Sequence, residues 1–314
     1  MKEEFALGVD IGGTTTEFGI CDRNGNVFFE ETVKTTDYPT ANDLVEYIDR
    51  RLSDTPYIDQ IIGIGIGAPN GNYFSGNIEF APNLKWKGVI HLADMFSAKF
   101  NTPATLTNDA NAAAIGEMIY GNAKDLKDFV TITLGTGLGS GVIVNGNLIY
   151  GHDGFAGEYG HIRMFPNGRA CGCGRKGCLE TYCSATGVVR SINELDSENK
   201  SSSPLLELAA PHAEDVFEWA VKGDLFAEEI IDFTAKTLGS ALADYACFSS
   251  PKAYVLFGGI AQDGQAFADR VKKYLEENIL NIYKDKIEIR ISTLHDKNAA
   301  VLGASSLVWN SNGK

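Results

Sequence analysis

The sequence predicts an α/β protein in which one strand-rich plan is used twice. Two stretches carry this reading. The opening "FALGVDIGGTTTEFGICDRNGNVFFEETV" reads as an apolar strand ending at Asp10, a Gly12-Gly13 turn and a second strand to about Cys21. The hairpin pair Asn24-Gly25 then leads into a third strand. About 120 residues later, "FVTITLGTGLGSGVIVNGNLIYG" repeats the order of apolar strand, glycine turn, strand, Asn145-Gly146 hairpin and strand. Few residues match directly, so the repeat is one of architecture, and two unrelated hairpins with the same turn chemistry are the competing reading.

The remaining elements follow from periodicity. Leu44, Tyr47, Ile48 and Leu52 fall on one face of a helix over residues 40–53, and "QIIGIGIGAP" is a short buried strand ending in a loop. "NKSSSP" (199–204) reads as a polar loop, followed by helices at about 213–222 and 225–248. "AYVLFGGI" is a strand running into a glycine pair, 265–279 is helical, and "KIEIRIS" alternates as a strand. "DKNAAVLGASSLVW" closes the chain as a helix.

Composition narrows the function. With 314 residues, 44% of them hydrophobic, the chain can bury the cores of about two domains. A net charge of −14 argues against a broad nucleic-acid-binding face. No apolar run nears the ~20 residues that span a bilayer, and "MKEEFALGVD" lacks the basic and apolar regions of a signal peptide. A cytoplasmic protein with neither a membrane nor a nucleic-acid partner is expected. In that reducing setting the six cysteines (Cys21, Cys171, Cys173, Cys178, Cys183, Cys247) point to metal or redox chemistry before disulfides.

Chemistry concentrates in a few stretches. "DIGGTT" (10–15) and "LGTGLGSG" (134–141) each set small residues directly after a strand. There Gly12, Gly13 and Gly137 let the backbone approach a ligand, and the hydroxyls of Thr14, Thr15 and Thr136 can donate to phosphate oxygens. Asp10, at its strand end, suits Mg²⁺ held through water. Neither turn is a GxxxxGK[ST] loop, and each taken singly reads as a tight hairpin. Gly258-Gly259 offers a third glycine contact, suited to an adenosine against the backbone. "GEYGHIRMFPNGRACGCGRKGCLE" (157–180) packs three cysteines and a histidine between two glutamates; a redox pair, a structural metal and a catalytic metal are all open on the stretch alone.

Together, "DIGGTT", "TNDANAAAIGE", "ITLGTGLGSGVIVNG", "GEYGH", "CGCGRKGCLE" and "FGGI" resemble, in this order, the ROK family of bacterial sugar kinases and related repressors. The resemblance spans almost the whole chain. It implies an actin-like (ribonuclease H-like) two-lobed ATPase fold with duplicated βββαβα-type units, ATP with Mg²⁺ in the cleft, a hexose beside it, and a homodimer. The lobes are expected at residues 1–108 plus about 297–314, and at 109–296. One departure stands out: where many relatives carry a lysine after GGT, this chain has Thr15, so a phosphate charge contact is missing or supplied elsewhere.

His161, Cys171, Cys173 and Cys178 form a Cys3His set suited to tetrahedral, structural Zn²⁺. Cys171 and Cys173 are too close to pair comfortably, and Gly172, Gly174 and Gly177 let the chain fold round an ion. Cys183 lies outside the set and reads as a core residue. A zinc-pinned loop would fix Glu158 and Glu180 as rigid acceptors for vicinal hydroxyls. The resemblance implies those glutamates on the sugar, with His161 using one ring nitrogen for zinc and the other for a hydroxyl. A solvated charge at Glu158 and a helix N-terminal charge at Glu180 are the structural alternatives. Loss of zinc should change ATP binding little, since the glycine turns lie on other strands.

In "TNDANAAAIGE", composition alone favours helix capping by Asn108 and Asp109, whereas the resemblance implies Asp109 as catalytic base and Asn108 as a sugar ligand. Asn83, from the loop 67–86, is nominated for the sugar pocket against the reading of a plain surface loop. The expected function is ATP-dependent phosphorylation of a hexose at O6, with glucose the expected sugar. The alternatives are an N-acetylhexosamine kinase for N-acetylmannosamine or N-acetylglucosamine, and a broad-range hexose kinase. From another class comes a sugar-responsive regulator lacking its DNA-binding module.

Overall fold

A computed structural model describes residues 3–294 and 298–311 of the chain. Its first elements are β1 (Phe5–Ile11), β2 (Thr15–Asp22), β3 (Val27–Lys34), α1 (Ala41–Ser53) and β4 (Ile61–Gly67). Short strands β5 (Gly71–Asn72), β6 (Asn77–Glu79) and β7 (Val89–Ile90) precede α2 (Leu92–Phe100), β8 (Ala104–Thr107) and α3 (Asp109–Ile119). There follow β9 (Phe129–Leu134), β10 (Leu138–Val144), β11 (Asn147–Leu148), α4 (Glu180–Cys183), α5 (Ala185–Glu194), α6 (Ala213–Val221) and α7 (Leu225–Ser249). The chain closes with β12 (Ala253–Phe257), α8 (Gln265–Asn278), β13 (Glu288–Ile291) and α9 (Ala299–Ser311).

The two five-stranded sheets share one plan, ordered β3-β2-β1-β4-β8 and β11-β10-β9-β12-β13. In each, the first strand is antiparallel to the second and parallel to the fourth. The expected third strand of the repeat shrinks to the two residues of β11, because the chain beyond it joins other contacts.

Contacts divide the chain into two compact units, one of Met1–Asp125, Leu148–Ala156 and Thr293–Lys314, the other of Leu126–Asn147 and Gly157–Ser292. The expected boundary at 108 therefore falls at 125. Helix α3 stays with the first unit because it packs on α9: Gly116 lies so close that a Cβ there would sit 3.0 Å from the Gly303 Cα. The segment 148–156 also returns to this unit. Asn72 Nδ2 donates to the Asp153 carbonyl at 2.8 Å, and Tyr73 stacks on Tyr150 at 3.9 Å. Residues 296, 297 and 312–314 of the expected closing segment lie outside the described residues.

Local sequence explains most elements. Thr40 and Asp43 form a capping box at the start of α1, and its buried face of Leu44, Val45, Ile48 and Leu52 packs into the first unit's core. Helix α9 presses on the opposite side of that sheet, which needs glycine: a Cβ at Gly8 would lie 2.2 Å from the Val301 carbonyl oxygen, and one at Gly65 1.9 Å from that of Ala304. The second core gathers Val130, Ile132 and Leu134 of β9 with Ile230, Leu238 and Leu242 of α7. The "NKSSSP" stretch is more ordered than expected and forms 3₁₀ turns at Lys200–Ser202 and Pro204–Glu207, where Ser203 accepts from the Leu205 N–H.

Candidate active site

In the first unit, the carboxyl ends of the parallel strands β1, β4 and β8 align, where open α/β sheets bind ligands. Asp10 is level with Gly67, and α3 begins just beyond Thr107. Gly67 keeps this corner open: a Cβ there would lie 2.7 Å from Asp10 Oδ1 and 3.7 Å from the Asp109 Cα. Burial, then the charges of Asp109 and Glu17, push the Asp10 carboxyl well above the usual carboxylate range. Burial also raises Asp109, opposed by N–H donors of Ala110 and its own backbone. By its accessible surface the residue is nonetheless exposed.

Asn108 is the N-cap of α3, and its Oδ1 accepts from the Asn111 N–H at 2.7 Å. Capping thus uses the amide oxygen, while Nδ2 is the other polar group of the half-buried side chain.

The first glycine turn is held by its own sheet. Gly12 N–H donates to the Thr15 carbonyl at 2.8 Å. Thr35 donates twice, from Oγ1 to the Gly12 carbonyl and from N–H to that of Thr14, each at 2.8 Å. Thr14 and Thr15 are exposed. Asn83 meets this turn through its backbone, since a Cβ at Gly13 would lie 2.7 Å from the Asn83 carbonyl oxygen.

In the second unit, the Gly135-Thr136-Gly137 turn is held from outside its sheet. Ala185 N–H donates to the Gly135 carbonyl at 2.8 Å and Thr186 Oγ1 to that of Thr136 at 2.9 Å. The Leu138 N–H donates to Glu180 Oε2 at 3.1 Å. Gly258, at φ 104°, nests against the end of β9, where a Cβ would lie 2.6 Å from the Leu134 carbonyl oxygen. Gly259 beside it is exposed.

The metal-ligand set is gathered as the sequence predicts. Ligand atoms of His161, Cys171, Cys173 and Cys178 all lie within 4.8 Å of one another, and all these cysteines are free thiols. Cys173 Sγ to Cys178 Sγ and Cys171 Sγ to His161 Nδ1 are both 3.7 Å. A tetrahedral ion with Zn–S bonds of about 2.3 Å sets sulfur–sulfur edges at about 3.8 Å, so the cluster fits zinc. His161 turns Nδ1 inward, whereas Nε2 is 3.9 Å from Glu158 Oε2. Glu180 Oε1 accepts from Cys171 Sγ at 3.6 Å, so this carboxylate touches both the cluster and the second glycine turn. Cys183 is buried with its thiol on the Thr234 carbonyl, a core residue as expected.

Sequence reasoning missed the braces. Thr35 is one. Arg169 is another: its Nη1 donates to the carbonyls of Thr181 and Gly187, its Nη2 to Ser191 Oγ, its Nε pairs with Glu194, and its guanidinium stacks on Tyr182. Ser140 and Tyr245 hold the segment around Glu158, through hydrogen bonds to the carbonyls of Gly157 and Tyr159 respectively. No local pattern marks any of these, because each partner is distant in sequence.

Comparison with known proteins follows the same lines. The ROK family model matches residues 6–311. A glucokinase of Halalkalibacterium halodurans is 36% identical over 318 residues, covering 98% of this chain and 96% of its own length. A xylose repressor of Bacillus spizizenii is 29% identical, covering 98% of this chain but 77% of the repressor. Among solved structures, a ROK family glucokinase from Streptomyces griseus in complex with glucose and AMPPNP is 31% identical, with a TM-score of 0.80 over 96% of this chain and 98% of that one. The sheets are those of the actin-like ATPase fold. Matched by the family model from residue 6 to residue 311, the chain belongs to the ROK family.

Proposed function

We propose that the chain is a glucokinase, transferring the γ-phosphoryl group of Mg·ATP to O6 of glucose. The observation that carries the reading is the corner at Gly67, where Asp10 and the exposed Asp109 converge at the carboxyl ends of parallel strands. Glucose is favoured over other hexoses because the relative from H. halodurans and the crystallised S. griseus protein are glucokinases.

In this reading Asp109 orients the O6 hydroxyl and accepts its proton as the O–P bond forms. A loose phosphoryl-transfer transition state asks for positioning and charge neutralisation more than for a strong base. Asp10 would hold Mg²⁺, and the N–H groups of Gly12, Gly13 and Gly137 with the hydroxyls of Thr14, Thr15 and Thr136 are assigned to the phosphates. Gly258 and Gly259 take the adenosine. Asn108 offers Nδ2 to a sugar hydroxyl, Asn83 lines the sugar pocket, Glu158 and Glu180 accept from the remaining hydroxyls, and His161 donates its Nε2–H to a hydroxyl oxygen. Zinc would bind His161 Nδ1, Cys171, Cys173 and Cys178, and a site closed by four protein ligands supplies rigidity and no activated water.

A coupled ADP-release assay across glucose, mannose, fructose, N-acetylglucosamine and N-acetylmannosamine tests the proposal. The highest kcat/KM is expected with glucose. A preference for either N-acetylhexosamine would overturn the sugar assignment, and ADP release with none of the five would overturn the kinase.

A further inference from the structure

The first glycine turn lacks a cation among the residues assigned to it. Magnesium-bound ATP still carries net negative charge, and backbone N–H groups and hydroxyls offer only partial positive charge against it. Around the turn the fixed charges are acidic: Asp10 is level with Glu17 across β1–β2, and Glu30 adds to the field at Glu17. Such a surface repels a polyphosphate unless a cation is near.

The sheet register supplies one. Thr15, the first residue of β2, is directly opposite Lys34, the last residue of β3. Directly opposite residues of an antiparallel pair project from the same face, with Cβ atoms about 5 Å apart. Thr15 is two residues from Glu17, which is opposite Asp10, so Thr15, Lys34 and Asp10 share a face. Lys34 is also tied to the turn through its neighbour, since Thr35 makes both hydrogen bonds that hold Gly12 and Thr14.

Neighbouring cations are engaged elsewhere. Lys85 donates to the Thr36 carbonyl, Lys87 to that of Leu84, and Arg51 pairs with Glu31. The Lys34 side chain is exposed and makes no hydrogen bond or ion pair among the described residues. Its four-carbon stem can carry the ammonium past Thr15 to the phosphates.

We propose that Lys34 is a nucleotide-binding residue, delivering from the neighbouring strand the positive charge that Thr15 does not provide. The proposal rests on the reading of the first turn as a phosphate site. It assigns to the end of β3 a specificity for polyphosphate over uncharged ligands, and predicts that the charge can be moved across the strand pair without loss.

The test is calorimetric binding of Mg·AMPPNP and, separately, of glucose to the full chain. Lys34→Met keeps the apolar stem and, at an exposed position, should leave the melting temperature unchanged. It should weaken Mg·AMPPNP binding by about tenfold, the scale of a charge-assisted hydrogen bond, with glucose affinity within about twofold of the parent. Adding Thr15→Lys to Lys34→Met should restore nucleotide affinity to within about threefold of the parent, because the two side chains reach the same space. Unchanged nucleotide affinity in Lys34→Met would overturn the proposal, as would equal losses for nucleotide and glucose, or a double variant that regains nothing. A parent chain that binds no Mg·AMPPNP would instead defeat the kinase reading itself.

Discussion

The two glycine turns follow equivalent strands of equivalent sheets, yet they are held in opposite ways. The first is closed by its own sheet, through the Thr15 carbonyl and the hydroxyl and N–H of Thr35 at the end of β3. The second is closed by side chains and backbone from α4 and α5, the elements that follow the metal loop. A duplicated architecture has therefore produced one insulated turn and one that shares a carboxylate, Glu180, with the thiol cluster. The insulated turn sits in the unit that carries Asp10 and Asp109. The shared turn sits in the unit that carries the cluster and both glutamates.

The largest expected effect belongs to the insulated side. Asp109→Asn should lower kcat by about 10²–10⁴-fold, the usual contribution of a positioned base. Calorimetric affinities for glucose and Mg·AMPPNP should stay within about twofold of the parent, because the exposed side chain contributes no brace to either turn. Activity within about threefold of the parent would remove Asp109 from the chemistry.

Breaking the other side should spread further. Cys178→Ser should lose most of about one zinc per chain, read by metal analysis, and weaken glucose binding by about tenfold or more, the range seen when metal-site supports are cut. The expectation from sequence was that nucleotide binding would change little. Glu180 changes that, because it lies two residues after the ligand Cys178 and its carboxylate receives the Leu138 N–H of the second glycine turn. Mg·AMPPNP should therefore bind about fivefold more weakly. Thr35→Ala, at the insulated turn, should weaken nucleotide alone. If Cys178→Ser leaves nucleotide affinity at the parent's value after losing its zinc, the turns are equally insulated and the contrast between them fails.

The smallest effect is on stability. A carboxyl held above its unfolded value opposes folding only while it is ionised. For Asp10, stability should thus decline as pH rises from the ordinary aspartate range, about 3.9, through the raised value. Asp10→Asn in the nucleotide-free chain should remove that penalty, melting about 2 °C or more above the parent at pH 7 while losing activity. The gain should shrink toward zero near pH 4. A gain of equal size at both pH values would place its origin in packing.

What the sequence made legible was whatever sits within one element or one tight spacing. The α1 face, the two hairpin-first sheets and the gathering of the three cysteines with His161 are of this kind, since periodicity, turn pairs or close spacing marks them, although the spacing alone left the cluster's chemistry open. Long-range packing was hidden. Nothing local says that α3 rests on α9 at the far end of the chain, or that Tyr150 stacks on Tyr73, so the unit boundary was drawn too early. The same limit hid Thr35, Arg169 and Tyr245, whose roles exist only through distant partners. Asn108 shows a third case: capping and ligand binding were posed as rivals, yet the cap uses only Oδ1.

Arg169 bears on how the metal loop acquires its shape. Its guanidinium grips Thr181, Gly187, Ser191 and Glu194, its N–H donates to the Tyr182 hydroxyl, and its carbonyl receives the Gly177 N–H. None of these bonds involves His161 or a cysteine. The loop therefore has an anchorage that owes nothing to an ion, and chelation of the proposed zinc would complete a fold already begun. Ordering entropy that a floppy loop would lose on capturing zinc is already paid down by the arginine, so the four ligand bonds would set the affinity of the proposed site.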